Sequence, residues 1–256
     1  MAGLQVILSA FHRKESLYCP EASESLSNRI EGFIQHGVNA LSATPSMWRA
    51  LLQFPSFFDL SLIQITLGGE KSDSGLIRKL KESFPEARIT QIYATSELGV
   101  IFSVKDGEEG FPIDYLDNFP HNDSQLRIHE GQLQVLRNGL WNPTGDRVEV
   151  KNNRVNFLGR TEEIVNVGGV KVDPSLVRNA ILELEGILDA VVCGVRNPIL
   201  GEILVAEVVL STNSTIDELS IKEYLRFRVR RFEIPALIRI VNQISLNSNG
   251  KQRLSR

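Results

Sequence analysis

The chain has 256 residues, 42% of them hydrophobic and 23% charged, with a formal net charge of −3. This is globular composition, enough for one large domain or two smaller ones, and its mild acidity excludes a general polyanion-binding surface, so no nucleic-acid partner is expected. The two cysteines, Cys19 and Cys193, lie far apart with no C-x-x-C pairing, which argues against a disulfide framework or a cysteine metal site and makes a reducing, cytoplasmic compartment the default.

The first residues are briefly apolar but lack a basic start and a small-residue cleavage site before His12-Arg13-Lys14, so no signal peptide is expected. No apolar run approaches the roughly 20 residues of a membrane-spanning helix. Gly3 to Phe11 reads as the middle of a buried element, which implies a chain that opens inside a larger fold. Residues 23–35 have helical spacing, with Leu26, Ile30, Phe33 and Ile34 on one face. Asn39 to Ala43 reads as a short buried strand, and Pro45 opens a helix through Met47, Leu51 and Leu52. Leu62 to Leu67 is a strand that stops at Gly68-Gly69, Ser74 to Phe84 a helix, and Ala87 to Tyr93 another strand. Strands alternating with helices argue for a largely parallel sheet with helices on its faces.

After about residue 122 the pattern alternates polar and apolar residues, as half-buried antiparallel strands do. The segments are 125–128, 132–135, 147–150 and 154–157, with Lys151-Asn152-Asn153 as a hairpin turn. Asp173-Pro174 starts a helix with Leu176, Val177, Ala180, Ile181 and Leu184 as its buried stripe and Gly186 as its stop. Val191–Val195 and Ile203–Leu210 read as strands, Ile216 to Arg231 as a helix, and Leu237–Val241 as a last strand. The fold class is α/β: a partial larger domain over 1–158, mostly parallel sheet with helices and then antiparallel strands, followed by a small α+β unit over 159–256.

Four segments carry candidate chemistry. Leu67-Gly68-Gly69-Glu70 and Tyr93-Ala94-Thr95-Ser96-Glu97 both follow strands, and ligands of open parallel sheets bind outside the carboxyl ends of strands. Tyr93 offers a ring for a base, Ser96 a donor for a phosphate oxygen, and Glu97 a hard oxygen ligand of the kind Mg²⁺ prefers. In Trp141-Asn142-Pro143-Thr144-Gly145-Asp146, an aspartate in a turn can serve the turn alone or accept the hydroxyls of a ribose. The fourth runs from Gly159-Arg160-Thr161-Glu162-Glu163 to Val167-Gly168-Gly169, with Asn249-Gly250-Lys251 much later. A lysine on a glycine-containing loop is a mobile point charge suited to a carboxylate attacking a phosphate. The histidines His12, His36, His121 and His129 have no ligand spacing, and the arginines of 226–231 interleave with acids as on a solvated helix face.

In this order and spacing the chain resembles the adenylate-forming superfamily of acyl-CoA synthetases, luciferases and peptide-synthetase adenylation domains. The resemblance implies that carboxylic acid and ATP give an acyl-adenylate, which a thiol of coenzyme A or of a carrier-protein phosphopantetheine then attacks. It implies that Gly69 and Glu70 lie by adenine and the acyl pocket, that Tyr93 stacks on adenine beside Ala94, that Ser96 contacts phosphate and that Glu97 holds Mg²⁺. Asp146 would bind the ribose with Arg160 nearby, Glu162 would be the hinge of a mobile lid, Gly168 and Gly169 would line the thiol tunnel, and Lys251 would catalyse adenylation. The departures are Ala94 for glycine, Ser96 for threonine, Glu162 for aspartate, Gly168 for serine, Ser245 for proline and Glu233 for lysine. The family's Ser/Thr/Gly-rich phosphate loop has no counterpart in these 256 residues. Three functions follow: an acid–thiol ligase, a non-catalytic remnant acting through a partner, or a split subunit completed by a chain that supplies that loop.

Overall fold

The computed structural model describes residues 2–21, 23–95, 97–119, 124–199, 201–247 and 251–255. It divides into two compact units, residues 1–125 with 152–156, and residues 126–151 with 157–256.

The first unit opens with helix α1 (Ala2–Arg13) and continues with α2 (Leu26–Gln35), strand β1 (Ala40–Ala43), α3 (Pro45–Leu51), β2 (Gln64–Gly68), α4 (Ser74–Ser83), β3 (Arg88–Thr95), β4 (Gly99–Val104) and the short β5 (Phe111–Pro112). Strands β1, β2 and β3 are parallel, and β4 returns antiparallel to β3 in a four-stranded sheet. Each crossover helix starts where a side chain accepts from the first free amides. Ser25 caps α2, Thr44 caps α3 with Pro45 in the first turn, and Asp73 caps α4. The apolar faces of these helices meet Ile65, Leu67 and Ile89 of the sheet around a fully buried Trp48, whose indole N–H donates to Thr66 O at 3.1 Å. That bond removes the cost of burying the ring's one polar atom.

Four expectations change here. Gly3–Phe11 is a helix, not a buried core element: Phe11 is 84% exposed and Val6, Ile7 and Leu8 also face outward. Asn39–Ala43 forms the sheet's outer strand and is at most half-buried. Ile34 is exposed although Ile30 and Phe33 are buried, because the contact stripe of α2 is narrower than its apolar sequence. Among the described residues, helices cover the face of β2 that carries Ile65 and Leu67. On the other, Gln64 donates to Thr66 Oγ1 and Thr90 Oγ1 at 3.2 and 3.1 Å, a polar ladder rather than a second core.

In the second unit, β6 (Gln125–His129), β7 (Gln132–Arg137), β8 (Leu140–Lys151) and β9 (Arg154–Arg160) form an antiparallel meander whose first and last strands begin in the other unit. Asn152 and Asn153 both have positive φ, 52° and 58°, as a two-residue hairpin turn of matching twist requires. Trp141–Asp146 is a correction. It belongs to β8 rather than to a turn, and the register shifts opposite Gln132/Gln134 where Gly145 takes φ 77°.

Strands β10 (Val165–Val167) and β11 (Val170–Val172), α5 (Pro174–Leu182), β12 (Ile187–Asn197), β13 (Gly201–Leu210), α6 (Glu218–Arg226) and β14 (Leu237–Ile240) follow, then the hairpin of β15 (Ser245–Leu246) and β16 (Gln252–Arg253). One sheet runs β11-β10-β13-β12, with β14 parallel to β13. Val177 and Ile181 of α5 and Ile221 and Leu225 of α6 pack on Ala190, Val192, Leu204, Ala206 and Val208. Leu176 is exposed rather than part of that stripe, α5 ends at Leu182 before Gly186, and the last helix is shorter than 216–231. Among the described residues no helix is long and apolar enough to cross a membrane.

Candidate active site

In the first unit the candidate residues gather at the carboxyl edge of the parallel strands. The register pairs Ala43 with Leu67 and Gly68 with Ile92, so Thr44, Gly69 and Tyr93–Ala94 emerge side by side. Gly69 is exposed with φ 82°, and the methyl carbon of Thr44 lies 3.6 Å from where a side chain would start. Glu70 turns back: its Oε2 accepts from the backbone N–H of Ser46 at 3.0 Å and from Ser46 Oγ at 2.5 Å, tying the end of β2 to the first turn of α3. Motif reading gave no sign of that contact, though a hydroxyl next to the helix-opening proline was the available clue.

Tyr93 is half-buried, its ring 5.0 Å from Phe102, at the edge of an aromatic cluster with Phe111, Tyr115 and Phe119. A β-bulge falls between Tyr93 and Ala94, and Ala94 is exposed. Thr95 Oγ1 accepts from Leu98 N at 3.1 Å and closes the tight turn into β4. Glu97 sits on that turn, exposed. Ser96 lies outside the described residues. Among those described, no group of three or more His, Cys, Asp or Glu is placed to hold a metal by protein ligands alone. A single exposed carboxylate fits Mg²⁺ of the kind that arrives with nucleotide phosphates and keeps several waters.

In the second unit Asp146 and Arg160 meet from adjacent strands. Arg160 Nε donates to Asp146 Oδ1 at 3.2 Å, with the Asp146 side chain 14% exposed and that of Arg160 46%. Partial burial opposes the guanidinium charge, but Asp146, Glu163 and Glu162 outweigh it and hold the pKa of Arg160 above its ordinary value. The backbone around the pair is fixed. Thr144 Oγ1 donates to Leu133 O at 2.9 Å and accepts from Asp146 N at 3.2 Å, while Thr161 Oγ1 donates to Gly145 O at 3.2 Å.

Downstream, Asp173 caps α5 and pairs with Arg147, and Ser175 Oγ bonds both Asp173 Oδ1 at 2.6 Å and Leu158 O at 2.5 Å. A side chain on Gly159, whose φ is 149°, would begin 2.5 Å from that same hydroxyl. Glu162 is exposed on a single 3-10 turn. Gly168 and Gly169, φ 56° and 88°, form the two-residue loop joining β10 to β11, exposed and with open space where a side chain on Gly169 would start. Lys251 lies on the β15–β16 hairpin, exposed, its N–H donating to Asn247 Oδ1 at 3.0 Å. Asn249 and Gly250 lie outside the described residues.

Two family models match: "AMP-binding enzyme" over residues 1–126 and "AMP-binding enzyme C-terminal domain" over residues 177–251. The chain belongs to the adenylate-forming, AMP-binding enzyme family. It is 29% identical over 212 residues to a 3,4-dihydroxybenzoate–[aryl-carrier protein] ligase of Bacillus anthracis, covering 82% of this chain and 49% of that protein. It is 27% identical over 175 residues to an acyl-CoA synthetase of Alternaria alternata, covering 67% of this chain and 29% of that one. Its fold is that of an anthranilate CoA ligase solved with anthranoyl-AMP, with a TM-score of 0.70 at 16% identity over 92% of this chain and 52% of the other. The chain spans about half the length of the first curated relatives it matches. The shared fold is of the expected α/β class, with a mostly parallel sheet, to which β4 adds one antiparallel strand, and then antiparallel strands.

Proposed function

We propose that this member of the adenylate-forming family supplies the adenosine- and lid-side machinery of an acid–thiol ligase. The reaction joins a carboxylate to AMP with release of pyrophosphate, and a thiol of coenzyme A or of a carrier protein then takes the acyl group and releases AMP. The observation that carries the reading is the Asp146–Arg160 pair, 3.2 Å apart on adjacent strands and sitting in Thr144-Gly145-Asp146 and Gly159-Arg160, the segments that resemble the family's motifs. Arg160 holds the carboxylate in a fixed orientation, ready to accept from the two hydroxyls of a ribose.

At the other candidate surface, Tyr93 backed by Phe102 presents a rigid ring for adenine, and the open backbone at Gly69 and Ala94 allows close approach. Glu97, with Ser96 beside it in sequence, faces the phosphates. Mg²⁺, when bound with ATP, neutralises phosphate charge, and Glu97 is the residue here that would hold it. Lys251 places a positive charge on the oxygens that gain charge as the carboxylate attacks. Glu162 serves as the pivot between half-reactions, and Gly168-Gly169 lines the path of the thiol. The phosphates themselves need a glycine-rich cradle of backbone N–H groups, which we assign to a segment outside these 256 residues, on the same or a separate chain.

Carboxylate-dependent ATP–pyrophosphate exchange tests this, on the chain alone and mixed with a second chain carrying the Ser/Thr/Gly-rich loop. Exchange is expected in at least one arm, falling about 10²-fold or more in Lys251→Ala, the usual effect of removing one transition-state charge contact. No exchange with any aryl or fatty acid in either arm would sink the ligase reading in favour of a non-catalytic partner.

A further inference from the structure

The sheet of the second unit is covered on both faces, and by different things. Helices α5 and α6 cover one face. On the other, Val191 of β12 and Val209 of β13 form a small cluster with Ile244, joined by Leu188, Cys193, Val241 and Leu254. Two carboxylates share that second face, each one pairing step from a core valine: Asp189 opposite Val209, and Glu207 opposite Val191. They are 2% and 0% exposed, and burying such groups costs several kcal/mol unless they are well bonded.

Ala190 N–H donates to Asp189 Oδ1 at 2.9 Å, and the segment just after Lys251 donates to both carboxylates. Gln252 Nε2 donates to Asp189 Oδ2 at 2.6 Å. Ser255 donates to Glu207 with its backbone N–H, at 3.0 Å to each oxygen, and with its hydroxyl at 3.0 Å. Between them Leu254 enters the apolar cluster. Arg178 approaches Asp189 at 3.5 Å and Arg239 approaches Glu207 at 3.7 Å, so each carboxylate has a positive partner outside the segment, whose own donors are neutral. Upstream of the lysine, Asn247 N–H donates to Lys251 O at 2.8 Å and Asn247 Oδ1 accepts from Lys251 N–H.

We infer that Asp189 and Glu207, acting through Gln252 and Ser255, are positioning residues that set which way Lys251 faces. The inference rests on the catalytic role proposed for that lysine. Along an extended segment side chains alternate, so Gln252 turned toward the sheet leaves Lys251 and Arg253 outward, as observed. A slip of one residue reverses this and brings Lys251 or Arg253 against the buried carboxylates, where an ion pair would hold the amine away from any nucleotide. Neutral donors at 252 and 255 satisfy the carboxylates without competing for the lysine's charge.

The test uses the full chain, with the loop-bearing chain present wherever exchange activity requires it. Gln252→Ala and Ser255→Ala alter only the half-exposed ends of the contacts, leaving both strands intact, and Ser255→Thr keeps the hydroxyl donor for Glu207. In the two alanine variants, amide hydrogen exchange of residues 251–255 should rise about tenfold, the worth of one such bond, with the amides of β12 and β13 unchanged. The ATP–pyrophosphate kcat should fall about 10²-fold, as for a catalytic group displaced by an ångström, with KM for ATP unchanged, and Ser255→Thr should retain most of the activity. Unchanged amide exchange in both alanine variants overturns the inference. So does a loosened segment with undiminished kcat where Lys251→Ala abolishes exchange. Full activity in Lys251→Ala instead overturns the catalytic role itself.

Discussion

Gly159 shows how one residue can serve two demands. Its backbone φ of 149° and the Ser175 hydroxyl 2.5 Å from any added Cβ leave room only for hydrogen. Turning Ser175 aside would take its hydroxyl proton away from the two acceptors that share it, Leu158 O and Asp173 Oδ1. Gly159→Ala is expected to cost about 1–3 kcal/mol, the range for overpacking. The check is urea unfolding followed by the fluorescence of Trp141 in a Trp48→Phe background, since each unit carries one of the chain's two tryptophans. The glycine was legible in sequence as part of the Gly159-Arg160 motif. The reason for it was not, because Ser175 and Asp173 belong to the following helix, and only folding brings their oxygens to that backbone.

Among the elements, the 3-10 turn Arg231–Glu233 explains a departure from the family pattern. Where the family often has lysine, Glu233 accepts from the backbone N–H of Arg230 at 2.7 Å and from its guanidinium at 2.6 and 2.9 Å. Burial pushes the Glu233 pKa up, but these bonds from Arg230 outweigh it, and the net shift is downward from 4.5. A carboxyl with a depressed folded value stabilises the fold fully above its unfolded pKa and loses that contribution as pH falls through the folded one. Wild type should therefore lose stability relative to Glu233→Gln as pH falls below about 4.5, with the difference constant from pH 6 to 8; parallel thermal melts would show it. Helices and strands were legible wherever one face is apolar and the other polar, as in α4 or β7. The elements that were misjudged lack that contrast. Apolar α1 is exposed on several sides, β8 carries a bulge where proline and glycine suggested a turn, and the hairpins β10–β11 and β15–β16 are too short to have a period. The second-face carboxylates left a readable trace in Leu204-Val205-Ala206-Glu207-Val208-Val209, a lone charge inside an apolar run. A fully buried strand does not alternate, so the charge there marks a partner arriving from elsewhere in the chain.

At the scale of the molecule, the family motifs are distributed unevenly. The residues proposed to face adenosine and the proposed catalytic lysine are present, and the phosphate cradle has no counterpart in the sequence. Affinity should report that distribution. For this chain alone, AMP and ATP are expected to bind with similar Kd, because ribose and base contacts are common to both. With the loop-bearing chain added, ATP should bind at least about tenfold tighter than AMP, about 1.4 kcal/mol of added phosphate contact. Isothermal titration with both nucleotides decides it, and a chain that already prefers ATP strongly by itself contradicts the assignment of the cradle to another segment. The motif order alone made the family legible at this scale. The acid of the proposed reaction was not, since the residues at the strand edges, Thr44, Gly69 and Ala94, are small and chemically generic.

An engineer seeking only a higher melting temperature would be drawn to Glu207, a carboxylate 0% exposed, yet an apolar residue of matching volume there leaves the backbone N–H of Ser255 without its acceptor. Such a chain should melt earlier than the parent, and its lysine would swing without a fixed bearing. Thermostability and the proposed turnover would then fall together, so a melting screen alone would already discard the variants whose lysine has lost its bearing.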